Sequence, residues 1–265
     1  MKNTLRALAL ALALVASLAA CGTGTTPSPA TPAASVEPPT NTPEPLPTVA
    51  SSTPCVNENF PVTVGKRWMY SSTGSPIGPY EFAERIYDAG VTGFTVVSQL
   101  RKTPSSVVWE CRPEGLVPLG LPPHDATSIL AFQNLSEVTL TNVTGVAIPA
   151  VITPGMEWSL SFDLQANRTL GDGTVVPVTG HVIITYKAKN RESITVQAGA
   201  FDTQPVETFS TIDTVTSKPT GDEKLHLISN YTYYYAAGVG WVKATGAGAI
   251  GGQEYYETVE LTGYQ

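Results

Sequence analysis

Few side chains in this sequence have the type and spacing to do chemistry. Three histidines, His124, His181 and His226, lie far apart, with no HxH or HExxH company to make a metal site or a base. His181 and His226 fall in strand-like runs and read as surface or packing residues. No G-x-S-x-G supplies a strained nucleophile elbow. No G-x-G-x-x-G follows a strand. The nearest run, "GAGAIGG" (Gly246 to Gly252), has no helix after it and reads as a flexible hairpin loop. Carboxylates are scattered: Glu157, Asp163, Asp202, Glu207, Asp213, Asp222 and Glu223. Two that met across a sheet would suit glycoside hydrolysis, but sequence spacing joins none of them and they read as solvated surface charge. The expectation is a non-enzymatic chain with no catalytic residue, no metal and no cofactor.

The aromatic residues carry more information. "YTYYYAAGVGWVK" runs from Tyr231 to Lys243. In a strand, Tyr231, Tyr233 and Tyr235 share one face while Thr232, Tyr234 and Ala236 share the other. "AAG" then turns the chain, with Gly238 and Gly240 allowing close backbone approach, and "GWVK" starts the return. Such a tyrosine row reads as cross-strand packing. A Gly-x-x-Trp occurs twice, in "VTVGKRW" (Val62 to Trp68) and "ITPGMEW" (Ile152 to Trp158). Each suggests a glycine-permitted turn delivering a tryptophan into a core, as two related halves or as two uses of one strand start. On a curved sheet, Trp68, Trp158, Tyr233 and Trp241 are the candidates to line an apolar concave face that holds a lipid, acyl chain or other hydrophobic ligand. The alternative is an envelope structural or protein-interaction module, or a glycan-binding one with Trp109 and Trp241 facing solvent.

The elements that position these residues are strands. Residues 93–102, 181–189, 192–197 and 206–216 are rich in β-branched side chains. "YETVELTGY" alternates, with Tyr255, Val259 and Leu261 on one face and Tyr256, Thr258, Glu260 and Thr262 on the other. "GDG" (Gly171 to Gly173) supplies an Asp-Gly turn. Only residues 124–135, "HDATSILAFQNL", suggest a short helix. The class is all-β: a curved antiparallel sheet or incomplete β-barrel, formed by a single domain over residues 55–265.

Residues 1–20 read as an export signal, with Lys2 and Arg6 ahead of a short apolar core. "LAAC" (Leu18 to Cys21) resembles the lipobox of bacterial lipoproteins, in which the cysteine, here Cys21, is diacylated. Attachment to the membrane is then through lipid, in the cell membrane or the outer membrane, facing the periplasm or the cell exterior. Residues 21–54 form a Pro/Thr-rich spacer with almost nothing to bury. With Lys2 and Arg6 removed, the formal charge falls from −7 to −9 and no basic stripe remains, which argues against nucleic acid. The expected partners are the membrane, through the anchor, and a hydrophobic ligand or an envelope protein. Cys55 and Cys111 are left in an oxidising compartment, where a disulfide is the default and no CxxC points to a redox pair.

Five segments resemble, in order, a group of bacterial exported and lipid-anchored proteins. They are "FPVTVGKRWMY", "ECRPEGLVPL", "ITVQAGAFDTQPV", "YYYAAGVGWVK" and "YETVELTGY", spread over residues 60–264. The resemblance implies a β fold similar to that of periplasmic lipoprotein carriers and names no activity.

Overall fold

The computed structural model describes residues 55–265 apart from Lys102, Gln133, Gly251 and Gly252; the signal segment, Cys21 and the spacer lie outside the described residues. The described residues form fourteen strands, most of them alternating between buried and exposed side chains. They are β1 (Arg67–Thr73), β2 (Tyr80–Ala89), β3 (Gly93–Leu100), β4 (Thr103–Arg112), β5 (Gly115–Pro118), β6 (Leu135–Gly145) and β7 (Ile148–Pro149). After these come β8 (Glu157–Thr169), β9 (Val175–Ala188), β10 (Glu192–Val196), β11 (Gly199–Lys218), β12 (Gly221–Ala236), β13 (Gly240–Ile250) and β14 (Gln253–Tyr264). Among the described residues one helix, α1 (Ala126–Phe132), falls between β5 and β6, inside the stretch whose sequence suggests it.

All strands join one antiparallel sheet in the order β6-β8-β9-β11-β12-β13-β14-β1-β2-β3-β4-β5-β7, with β10 beside β11. The sheet is open, not closed into a barrel. The terminal strands β1 and β14 pair in its interior, Trp68 opposite Tyr264. Its margins, β6 and β7, are consecutive in the chain. The connection from β5 to β6, residues 119–134, therefore leaves the sheet near one margin and re-enters it at the other. It carries α1 across the concave side as a plug. Margin strand β6 is bulged twice against β8, with Glu137 and Asn142 at φ 52° and 53°. Such bulges twist an edge away from pairing with another chain.

The two Gly-x-x-Trp segments fold alike. Gly65 and Gly155 both take positive φ, 87° and 84°. Each donates its amide to the strand after next in the chain, Gly65 to Ile86 O and Gly155 to Ala188 O, at 2.9 Å in both cases. Ile86 and Ala188 donate back to Lys66 O and Met156 O at 3.0 and 2.9 Å. One strand start is used twice, at β1 and at β8.

In the glycine-rich run, residues 246–250 depart from their expectation as a loop, while Gly251 and Gly252 lie outside the described residues. Gly246 and Gly248 lie inside β13, opposite Tyr231 of β12 and Tyr255 of β14. The rings of Tyr231 and Tyr255 lean over the strand from both sides, and a Cβ on either glycine would collide with the ring beside it. Glycine is used here for a flat floor rather than for a turn. Gly246→Ala is expected to lower stability by about 2–3 kcal/mol, the cost of overpacking a tight core. Ala249→Ser, on the exposed face of the same strand, should stay within about 0.5 kcal/mol of the parent. Urea unfolding of both variants checks this.

Candidate functional site

The plug enters the concave face through four consecutive residues, 124–127, each held by a side chain of the sheet. His124 Nε2 lies 3.1 Å from Glu84 Oε1 of β2, which also accepts from Ser98 Oγ of β3 at 3.1 Å. Asp125 Oδ2 accepts from Tyr233 OH at 2.8 Å, while its Oδ1 accepts from the Ser128 amide at 2.9 Å and so caps the helix. The Ala126 amide donates to Glu257 Oε2 at 2.8 Å. Thr127 Oγ1 bonds the hydroxyl of Tyr255. At the other end of α1, Arg168 Nη2 of β8 donates to Ala131 O at 3.1 Å, a cation at a helix C-terminus.

Glu257 is the hub. It is 2% exposed and accepts four hydrogen bonds: from Ser72 Oγ (2.6 Å), Tyr80 OH (2.8 Å), Tyr231 OH (2.7 Å) and the Ala126 amide. Burial, reinforced by the nearby charges of Asp125 and Glu257, pushes the Tyr231 hydroxyl far above its ordinary range, so it stays a neutral donor. Burial also raises the Asp125 carboxyl, against the lowering effect of its bonds from Ser128 and Tyr233. At His124 burial alone would lower the imidazole; the charge and hydrogen bond of Glu84, with Asp125, outweigh it and raise it above its ordinary 6.5.

A group whose folded value is raised stabilises the fold fully below its unfolded value and loses that contribution as pH rises through the folded one. The His124–Glu84 contact is therefore expected to hold the plug fully below about pH 6.5 and to weaken above it. Unfolding midpoints should fall as pH rises from about 6 to about 8, and His124→Asn should flatten that slope. An unchanged slope in His124→Asn would assign the pH dependence to another group.

Between plug and sheet lies a hollow of about 130 Å³. Its lining is mainly apolar and aromatic, with Phe60, Trp109, Phe162, Tyr186, Tyr235 and Trp241 among the larger side chains. Of the residues expected to line a ligand face, Tyr233 and Trp241 line this hollow. Trp68 does not: it is 1% exposed inside the core, and its indole N–H donates to Val239 O. Gly240, at φ 110°, lets the backbone pass that ring. Trp158 also lies outside the lining, stacked on Tyr186 with centroids 5.1 Å apart. Tyr231, Tyr233 and Tyr235 all face the hollow, so the tyrosine row is lining as well as packing. A glycan platform needs Trp109 and Trp241 in solvent; both are buried, and the hollow takes them instead.

Sequence reasoning missed Glu84 and Glu257. Both occupy inward positions of alternating strands, in Tyr80-Phe82-Glu84-Ile86 and Tyr255-Glu257-Val259-Leu261. A carboxylate at an inward position was the available signal. The carboxylates singled out from sequence are mostly elsewhere. Glu157, Glu207 and Glu223 form exposed ion pairs with Lys187, Lys189 and Lys218. Asp163 and Asp213 meet His181 and His226 on the exposed face at 2.7 and 2.6 Å. Exposed pairs of this kind contribute little. Among the described residues, no three His, Cys, Asp or Glu side chains converge as metal ligands.

Cys55 and Cys111 are bridged, with Cα atoms 4.9 Å apart. The bridge ties the segment before β1 to β4. Phe60 of that segment packs on Trp68, Phe94 and Trp109, with centroids 5.5, 5.7 and 5.6 Å away, and forms part of the hollow's wall.

No family model matches the chain, and no curated protein matches it. Among solved structures, one described as an exported protein with a YmcC-like fold from Bacteroides fragilis is 13% identical. That likeness covers 78% of this chain and 98% of the other at a TM-score of 0.48. Another, described as a lipoprotein from Parabacteroides distasonis, is 15% identical, covering 79% and 99% at a TM-score of 0.49.

Proposed function

We propose that this chain is a lipid-anchored, non-enzymatic protein of the bacterial cell envelope that holds a small hydrophobic ligand between its sheet and its plug. The observation that carries this reading is the hollow itself: about 130 Å³ of mainly apolar lining on the concave face, closed by a segment held through polar bonds. Polar latches suit a closure that opens, because water can replace each hydrogen bond once the segment lifts. The plug's two ends lead to β6, one margin of the sheet, and to β5, next to the other margin, so its withdrawal would widen the face it covers. The lipobox-like "LAAC" supports the anchor and the envelope location. A ligand larger than the hollow requires that withdrawal.

Residues 55–265, exported to an oxidising compartment and purified without detergent, are to be weighed by native mass spectrometry before and after organic extraction. A stoichiometric hydrophobic adduct lost on extraction is the expected result and gives the ligand's mass. A single clean mass, with no uptake of added short acyl compounds, would sink the reading. It would favour the second one, an envelope interaction module. That reading rests on Ile183, Phe209 and Ile228, exposed on neighbouring strands β9, β11 and β12.

A further inference from the structure

The face of the sheet away from the plug carries a second recess, an open groove of about 460 Å³. Two adjacent rows of outward side chains line it. Ser159, Thr185, Phe209 and Asn230 stand directly opposite one another on β8, β9, β11 and β12. Glu157, Lys187 and Glu207 form the next row on the first three of these strands. Register carries the first row beyond the groove. Asn230 faces Ala247 of β13, and Ala247 faces Tyr256 of β14. Phe209 and Tyr256, 47% and 73% exposed, therefore lie on one line across the sheet. They are three strand steps apart, roughly 14 Å, with only short side chains between them. The fold does not demand a ring at either position, since a threonine or valine suits an outward strand site as well.

Charge narrows what fits here. Each acid of the groove is matched by a lysine, Glu157 by Lys187 at 2.7 Å and Glu207 by Lys189 at 2.9 Å. The pairs cancel, so the groove presents no net charge to a polyanion, a basic segment or an anionic membrane. An apolar protein surface fits poorly too: Phe209 is the one apolar outward side chain in the lining, and Ile183 and Ile228 lie outside it. What the groove offers is one ring among hydroxyl, amide, carboxylate and ammonium groups. A sugar unit has the complementary form, with a C–H face to lay on a ring and hydroxyls around its edge. A chain of such units matches the row, which crosses six strands over roughly 24 Å. We infer that this face binds a neutral glycan strand, laid across the sheet from Ser159 to Tyr256 with sugar units stacked on Phe209 and Tyr256. The rings that serve it are not Trp109 and Trp241, which are buried, but two that the alternation of β11 and β14 turns outward. The site lies on the other face from the hollow and does not depend on the ligand-binding reading.

The test is to titrate the full chain by calorimetry with three neutral hexasaccharides, chitohexaose, cellohexaose and maltohexaose, and with the matching disaccharides. At least one hexasaccharide is expected to bind, and its disaccharide to bind at least about tenfold more weakly, because it cannot reach both rings. Phe209→Ala and Tyr256→Ala should each weaken the hexasaccharide about tenfold while leaving the urea unfolding midpoint in place. Should alanine lower the midpoint, Phe209→Thr and Tyr256→Thr, suited to outward strand positions, take its place. Binding of none of the three hexasaccharides overturns the inference and leaves this face to a protein partner. Binding that neither ring variant weakens overturns it as well. A hyaluronan hexasaccharide, which carries carboxylates, is the charged comparison. If it binds as tightly as the best neutral one, charge does not select the occupant and the inference falls.

Discussion

Glu257→Ala is expected to destabilise the domain by about 4 kcal/mol and to release the plug from the sheet. The carboxylate accepts from Ser72, Tyr80, Tyr231 and the Ala126 amide, all in a site closed to water. Alanine leaves four donors without an acceptor, each costing roughly 1–3 kcal/mol when buried. The four share one site, so their costs do not add in full. Glu257→Gln keeps one acceptor oxygen but turns an amide toward donors, and should fall between, at about 2 kcal/mol. Urea unfolding gives the energies, and limited proteolysis over residues 119–134 reports the plug. Loss of stability without new cleavage there would mean that Glu257 supports the sheet but not the plug. A change under about 0.5 kcal/mol would remove the hub role altogether.

Replacing Cys55 and Cys111 together by serine should cost about 4 kcal/mol. The two cysteines lie 56 positions apart, and closing a loop of that length restricts the unfolded chain by roughly this amount. The folded state feels the loss as well. The bridge secures the segment carrying Phe60, which is 3% exposed and packs on three aromatic rings at the hollow's wall. The double variant, and the parent under reductant, should show the same fall in unfolding midpoint and the same change in tryptophan emission. A difference of less than about 1 kcal/mol between bridged and unbridged chains would contradict the loop-closure account.

Much of the fold was legible in the sequence, and the failures have a common cause. Richness in β-branched side chains located β3, β9, β10 and β11, alternation located β14, and the stretch 124–135 located α1, because these signals are local. The run Gly246 to Ile250 reads as a loop when glycine is judged by its backbone freedom alone. It is a strand because Tyr231 and Tyr255, from the two neighbouring strands, need a surface without side chains. Trp68 and Trp158 follow the same turn signal and are correctly inward, yet neither reaches the hollow. Inwardness is written in a strand's parity; the position of a cavity along that face is not. The plug was illegible for the same reason, since His124, Asp125 and Ala126 meet partners on β2, β12 and β14 that only the assembled sheet brings together.

The pairing of β1 with β14 also sets a timetable. β14 follows every other strand of the described residues, so it is the last of them to become available for pairing in a chain that emerges N-terminus first. Until it arrives, β1 has a partner on one side only, and Ser72 and Tyr80 lack the acceptor that β14 will bring. The strands β2 to β5 and β8 to β13 can pair with sequence neighbours as they emerge, but these two runs stay separate pieces until the final strand is inserted between β13 and β1. Glu257 arrives on that same strand. Joining the two halves and fastening the plug are thus one late event.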